Sequence, residues 1–207
     1  MSDKILNQIN NYYTDKIIRN GATPQGVDWN SIESQELRFK ILSELITEKE
    51  NFSILDYGCG FGSMYDYYKG KYNGFKYVGF DISDEMISQA KSRNKNDTGA
   101  EWFRELPQDI KTDYVIASGI FNVKLEISQE EWLNYILKTL NEINQIATHG
   151  FSFNILTKYS DKEFMKEYLY YADPLFLFDY CKIKFSKQVA LLHDYPLYEF
   201  SIIVRKS

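Results

Sequence analysis

The sequence predicts an α/β fold with a mostly parallel, seven-stranded sheet, a helical N-terminal cap and a C-terminal antiparallel hairpin. Three observations predict it. Short apolar runs alternate with helical periodicity between residues 50 and 157, the pattern of a parallel sheet covered on both faces. A glycine-rich segment, Gly58-Cys-Gly-Phe-Gly62, falls between one such run and a helix. The chain ends in two β-rich runs whose joint is too short for a crossover, so they must pair antiparallel. At 207 residues the chain suits one domain, with 1–49 as the cap and 50–207 as the core.

Taken in order, Ile5, Leu6, Ile9, Tyr12, Tyr13 and Ile17 recur at helical spacing from Lys4 to Arg19, and Asn20-Gly21 is a left-handed stop. Pro24 and Gly26 mark a loop, after which Ser31 caps a second helix reaching to about Glu48. Strands follow at 52–57 and 75–80, separated by a helix from Ser63 to Tyr68. Ser83 caps a helix from Asp84 to about Ser92, and a weak strand lies at 100–103. A strand at 113–117 precedes a helix over 129–146 and a strand at 150–156. Beyond it, the pattern predicts a broken helix at 161–169 and another starting near Pro174. Strands at 188–193 and 197–205 close the chain, joined by Asp194-Tyr195-Pro196.

The bulk composition narrows the function. Hydrophobic residues at 44% and charged residues at 26% are ordinary for a globular chain. A net charge of −5 without a basic run argues against nucleic acid, whose binding draws on phosphate neutralisation. The lysines between 162 and 187 are scattered among acids and tyrosines. The 17 Tyr and 14 Phe are numerous enough to wall a pocket, although most are expected as core and surface filler. Cys59 and Cys181 belong to no ligand pattern, so neither a disulfide framework nor a metal site is expected. No signal peptide and no run of about 18 apolar residues is seen, so the expected location is cytoplasmic and off the membrane.

The glycine-rich junction carries the function. Glycine suits a turn where the chain bends sharply and a ligand approaches the backbone. Such a junction serves either a dinucleotide or S-adenosylmethionine. Here the spacing is G-x-G-x-G, with Ser63 where the dinucleotide fingerprint has its third glycine. Asp56 precedes the glycines, where it would repel a pyrophosphate but suit the cationic amino group and sulfonium of S-adenosylmethionine. Asp81 ends the second strand about 20 residues past the last glycine, the place of a ribose-binding acid.

On these residues the chain resembles the class I S-adenosylmethionine-dependent methyltransferases. Ile54-Leu-Asp-Tyr-Gly-Cys-Gly-Phe-Gly62 is similar to their first motif, Phe80-Asp-Ile-Ser-Asp-Glu-Met-Ile87 to their second, and Asp113-Tyr-Val-Ile-Ala-Ser-Gly-Ile-Phe-Asn122 to the fourth strand and its loop. The segment 21–39 resembles the N-terminal cap of bacterial members, some associated with surface-polysaccharide pathways. The resemblance implies a Rossmann-like fold and methyl transfer to a small-molecule acceptor, with S-adenosylhomocysteine as product. The acceptor is an oxygen or nitrogen, of a phosphoryl-, carboxylate- or sugar-containing metabolite.

The residues divide by role. For the cofactor, Asp81 is expected on the ribose hydroxyls, Gly58, Gly60, Gly62 and Ser118 near the methionine and ribose, and Asp56 near the amino group. Ile82 and Met86 are expected around the adenine. Gln35 and Arg38 share a helix face, and Arg38 is a candidate clamp for the methionine carboxylate, with a solvated arginine as the plain alternative. The acceptor side is expected beyond the carboxyl ends of the parallel strands. That edge holds Phe121, Asn122, Tyr159 and Tyr195, with Tyr12, Tyr13 and Trp29 as a lid. His193 is the histidine placed to act as a general base, with Tyr13 the second candidate, whereas His149 falls on the opposite edge. No metal is expected, and the chain is expected to act as a monomer or homodimer. Three rivals stay open: an NAD(P)-dependent oxidoreductase, a non-catalytic cofactor-binding protein and an RNA methyltransferase.

Overall fold

In the computed structural model, residues 3–23, 26 and 31–206 are described. Seven strands form one sheet: β1 (Ser53–Tyr57), β2 (Lys76–Phe80), β3 (Ala100–Phe103), β4 (Thr112–Ala117), β5 (Ala147–Leu156), β6 (Gln188–Leu192) and β7 (Glu199–Arg205). Their spatial order is β3-β2-β1-β4-β5-β7-β6. The five strands from β3 to β5 are parallel, and β7 runs antiparallel to both β5 and β6. The expected Rossmann-like sheet with its terminal hairpin is thus observed. The hairpin loop is longer than expected, running from 193 to 198, because Leu197 lies outside β7.

Among the described residues, six α-helices flank the sheet: α1 (Asp3–Asn20), α2 (Ile32–Leu42), α3 (Ser63–Lys69), α4 (Asp84–Arg93), α5 (Gln129–Ile146) and α6 (Pro174–Lys184). Ser31 caps α2 by accepting the Ser34 N–H, and the Ser34 hydroxyl accepts the Ser31 N–H in return. Helix α2 ends earlier than its periodicity suggests and passes into a 3₁₀ turn at Ser43–Leu45. Ser128 caps α5, whose Trp132, Tyr135, Ile136, Thr139, Leu140 and Ile143 form one buried stripe. The broken helix expected at 161–169 is a single 3₁₀ turn, Lys162–Phe164, with no buried residue. Beyond that turn the backbone is engaged elsewhere: Leu169 bridges Val123, and the Tyr168 carbonyl accepts the Lys124 and Leu125 N–H groups.

The two faces of the sheet separate residue by residue. Leu55, Tyr57, Val115, Ala117, Ile202 and Val204 join α1, α5 and α6 in one core. Their neighbours Ile54, Tyr114, Ile116 and Ile203 join α2, α3 and α4 in the other. This period-two division makes the sheet two-sided and leaves its carboxyl edge as the place where a ligand can enter. Helix α1 reaches over that edge, tied to α4 by Thr14 Oγ1 and Ser83 Oγ at 2.9 Å.

Candidate active site

The site begins with the turn after β1. Gly58, Gly60 and Gly62 all lie in the left-handed region, with φ of 87°, 53° and 86°. The N–H groups of Gly58 and Cys59 both reach the Phe80 carbonyl, at 2.7 and 2.9 Å, so the turn is anchored to the end of β2. A Cβ on Gly58 would stand 2.3 Å from a methyl of Ile120. On Gly62 it would meet the Trp102 ring at 2.5 Å, which assigns that glycine to packing.

Asp81 closes the turn from the next strand. Its Oδ2 accepts the Gly60 N–H and its Oδ1 the Ser83 N–H, each at 2.9 Å. Asp56, at 2% exposure, accepts the Tyr77 hydroxyl at 2.5 Å. Burial pushes Asp56 up to about 7, against the opposing hydrogen bond from Tyr77. Burial likewise raises Asp81 to about 6 despite its two backbone donors. Cys59 is buried beside both acids, and its thiol is held well above its ordinary range, so it is no ready nucleophile.

A cleft opens over this turn at the carboxyl ends of β1, β2 and β4. Of the expected residues, Asp56, Gly58, Gly60, Asp81, Ile82, Met86, Ser118, Gln35 and Tyr13 line it. Its wall also includes Ile9, Phe39, Tyr57, Phe80, Ile120 and Tyr135, which the sequence reading did not single out. Tyr57 and Phe80 flank the motif acids and touch edge to face at 4.8 Å, so strand-end position was a usable signal. Tyr135 had only its place on the apolar stripe of α5.

Two chemical features show what the cleft can hold. Its described lining carries two carboxylates and no Lys, Arg or His. The buried Ser118 hydroxyl on its wall has no hydrogen-bond partner. A pyrophosphate would meet repulsion there, whereas a ligand with an ammonium and a sulfonium meets complementary charge and a waiting hydroxyl. S-adenosylmethionine fits that donor set. A second hollow, sharing Phe80 and Ile82 with the cleft, is edged by Asn7, Asn10, Arg104, Glu105 and Glu142.

Several expected residues are placed elsewhere. Arg38 is 8% exposed and outside the cleft lining, with its Nε paired with Glu199 at 2.9 Å, which corrects the solvated alternative. Phe121 is wholly buried against Phe153 and Tyr135, because the Trp132 indole fixes its carbonyl at 2.9 Å. The Asn122 side chain accepts the Leu156 N–H and braces the loop. Tyr195 meets the Ser201 hydroxyl at 2.9 Å, outside the cleft lining. His193 and Tyr159 are exposed ring neighbours at 6.1 Å, also outside it. Tyr12 packs on Tyr13 behind the wall, and Trp29 lies outside the described residues. His149 sits at the start of β5 beside Asp113 at 3.1 Å, far from the cleft edge as expected. Among the described residues no cluster of His, Cys, Asp and Glu is arranged to hold a metal, and no helix is long and apolar enough to cross a membrane.

A Rossmann-like sheet with an acid-lined cleft over a glycine turn defines the class of S-adenosylmethionine-dependent methyltransferases. Comparison with known proteins agrees. Residues 54–142 match a family described as "Methyltransferase domain". The Mycobacterium tuberculosis protein named "Putative methyltransferase Rv1506c" is 47% identical over 165 residues, covering 79% of this chain and 98% of that one. Among solved structures, magnesium protoporphyrin IX methyltransferase from Synechocystis PCC 6803 with bound SAH superposes at a TM-score of 0.69. That pair is 15% identical, over 97% of this chain and 99% of the other. The DhpI-SAM-HEP complex superposes at 0.67 with 13% identity, over 98% and 99%. At such identities the two structures speak for the fold. The chain belongs to the class I S-adenosylmethionine-dependent methyltransferases, and methyl transfer displaces the oxidoreductase reading.

Proposed function

We propose that this enzyme moves the methyl group of S-adenosylmethionine to an oxygen or nitrogen of a small-molecule acceptor, working in the cytoplasm as a monomer or homodimer. The observation that carries this reading is the cleft wall, which sets Asp56 and Asp81 beside a glycine turn with no basic side chain among its described lining. Bound there, the cofactor supplies an activated methyl on a sulfonium that is already a good leaving group.

The chain's own residues do the rest. Asp81 accepts hydrogen bonds from the ribose, with the Gly60 amide holding its carboxylate in place. Gly58, Gly60, Asp56 and Ser118 surround the amino acid portion, and Ile82 and Met86 give the base apolar walls. Ile9 and Tyr13 of α1 stand over the cleft and keep water from the reacting atoms. Alignment of acceptor and methyl is then the main catalytic contribution.

The same wall bears on the acceptor. A phosphoryl or carboxylate group would face two acids with no basic side chain among the described lining, so a neutral hydroxyl or an amine is the better match. Resemblance of the N-terminal segment to members associated with surface polysaccharides makes a sugar hydroxyl the first to try. Parallel calorimetric titrations with S-adenosylmethionine, S-adenosylhomocysteine and NADH test the cofactor reading. Heat with NADH and none with the other two would overturn it. Production of S-adenosylhomocysteine across a panel of neutral, cationic and anionic acceptors tests the second part.

A further inference from the structure

Behind the cleft runs a chain of buried hydrogen bonds that methyl transfer itself does not call on. Glu199, the first residue of β7, is completely buried. Its Oε2 accepts Arg38 Nε at 2.9 Å, and its Oε1 accepts Asn154 Nδ2 at 2.8 Å. Asn154 in β5 is equally buried, and its Oδ1 accepts the Gly119 N–H at 2.8 Å. Both carboxylate oxygens and both ends of the amide are thereby engaged, as a buried polar network requires.

Each end of this chain reaches a different wall of the cleft. Gly119 has φ of 77° and lies between Ser118 and Ile120, all three lining the cleft. At the far end, Arg38 shares α2 with Gln35 and Phe39, which also line the cleft. Gln35 in turn donates to Ser63 Oγ at 3.0 Å, at the start of α3. One carboxylate therefore ties the helical wall to the turn after β4, although neither oxygen lines the cleft.

We propose that Glu199 and Asn154 are positioning residues, which set the Gly119 turn against α2 and so tune the affinity of the cleft for the cofactor. The proposal rests on the reading that this cleft takes S-adenosylmethionine. A network serving only the stability of the sheet would not need to end on the amide of a cleft-lining turn.

Ser152 supplies the control. It lies on the same strand and its Oγ donates to the Leu42 carbonyl at 2.9 Å, bridging β5 and α2 without touching the chain described above. Asn154→Ala, Glu199→Gln and Ser152→Ala are each titrated with S-adenosylhomocysteine by calorimetry, with thermal melts alongside. Exchange of the Gly119 amide is followed by mass spectrometry. The expected result is affinity roughly tenfold weaker for the first two than for Ser152→Ala, with faster exchange at Gly119. Should Asn154→Ala not fold, Glu199→Gln carries the comparison, because it keeps the volume and loses only charge. Affinities matching the Ser152→Ala control would overturn the proposal. A wild-type protein that gives no heat would instead remove the cofactor reading beneath it.

Discussion

Asp81 accepts the backbone N–H of Gly60 at 2.9 Å across 21 positions of sequence, so the second strand's acid builds the turn that ends the first. The same carboxylate holds the Ser83 N–H at the start of α4. Its role is therefore double: it shapes the glycine turn, and it faces the cleft with its remaining lone pairs.

Replacing Asp81 with Ala should thus act on the ligand and on the turn together. Charge-assisted hydrogen bonds contribute about 1.5–3 kcal/mol each, so affinity for S-adenosylhomocysteine should fall by roughly tenfold to a hundredfold. Asp81→Asn keeps one acceptor oxygen and should fall between the variant and wild type. Calorimetry reads both, and an unchanged dissociation constant in Asp81→Ala would remove the ribose assignment.

Burial of Asp56 and Asp81 gives the ligand-free protein an inverted acid dependence. Their ordinary value is 3.8, and they are raised to about 7 and about 6. Across that interval the folded state holds more protons than the unfolded chain, so these two groups make stability fall as pH rises. A cationic ligand favours the ionised carboxylates, so its affinity should climb across the same interval. The thermal midpoint should decline between about pH 4 and about pH 7, and decline less in Asp56→Asn. The added stability conferred by S-adenosylmethionine should grow over the same range. Equal slopes in the two proteins would show that Asp56 does not titrate there.

Gly62 separates packing from binding within one motif. It combines a φ of 86° with the Trp102 ring 2.5 Å from where a Cβ would stand. Gly62→Ala should cost about 1–3 kcal/mol, or about 2–4 °C of melting temperature for each kcal/mol in a chain of this size. Residual folded protein should bind S-adenosylhomocysteine nearly as wild type does, because Gly62 does not line the cleft. A selective loss of affinity without loss of stability would return Gly62 to the ligand.

What could be read from the sequence was local. The first strand, the glycine turn, Asp81 and the Ser83 cap all lie between residues 53 and 83, and strand periodicity fixes where each falls relative to the sheet edge. The α5 stripe was legible for the same reason. The Arg38–Glu199 pair was not, since its partners are 161 positions apart and meet only because β7 inserts beside β5. Nor was the burial of Phe121, which depends on the Trp132 indole reaching back 11 residues from the next helix. The segment 161–169 shows the reverse failure: its spacing is compatible with a helix, but the backbone at Tyr168 and Leu169 pairs with residues 123–125 instead.

His193 tests how far position along a strand edge can stand for proximity. It follows β6, the outermost strand, and β7 separates that strand from the parallel half of the sheet. Its ring is exposed, 6.1 Å from Tyr159 and 5.9 Å from Phe200, and it is absent from the cleft lining that Tyr13 belongs to. A proton acceptor must come within hydrogen-bond reach of the acceptor atom, directly or through one water. In its observed place His193 does not line the cleft. His193→Ala should therefore change turnover by no more than about twofold, the scale of ordinary surface substitutions, and leave the pH profile unshifted. Tyr13→Ala, by contrast, removes part of the wall and should weaken S-adenosylhomocysteine binding measurably. A loss of turnover well beyond twofold in folded His193→Ala would mean that the hairpin loop folds over the cleft during turnover.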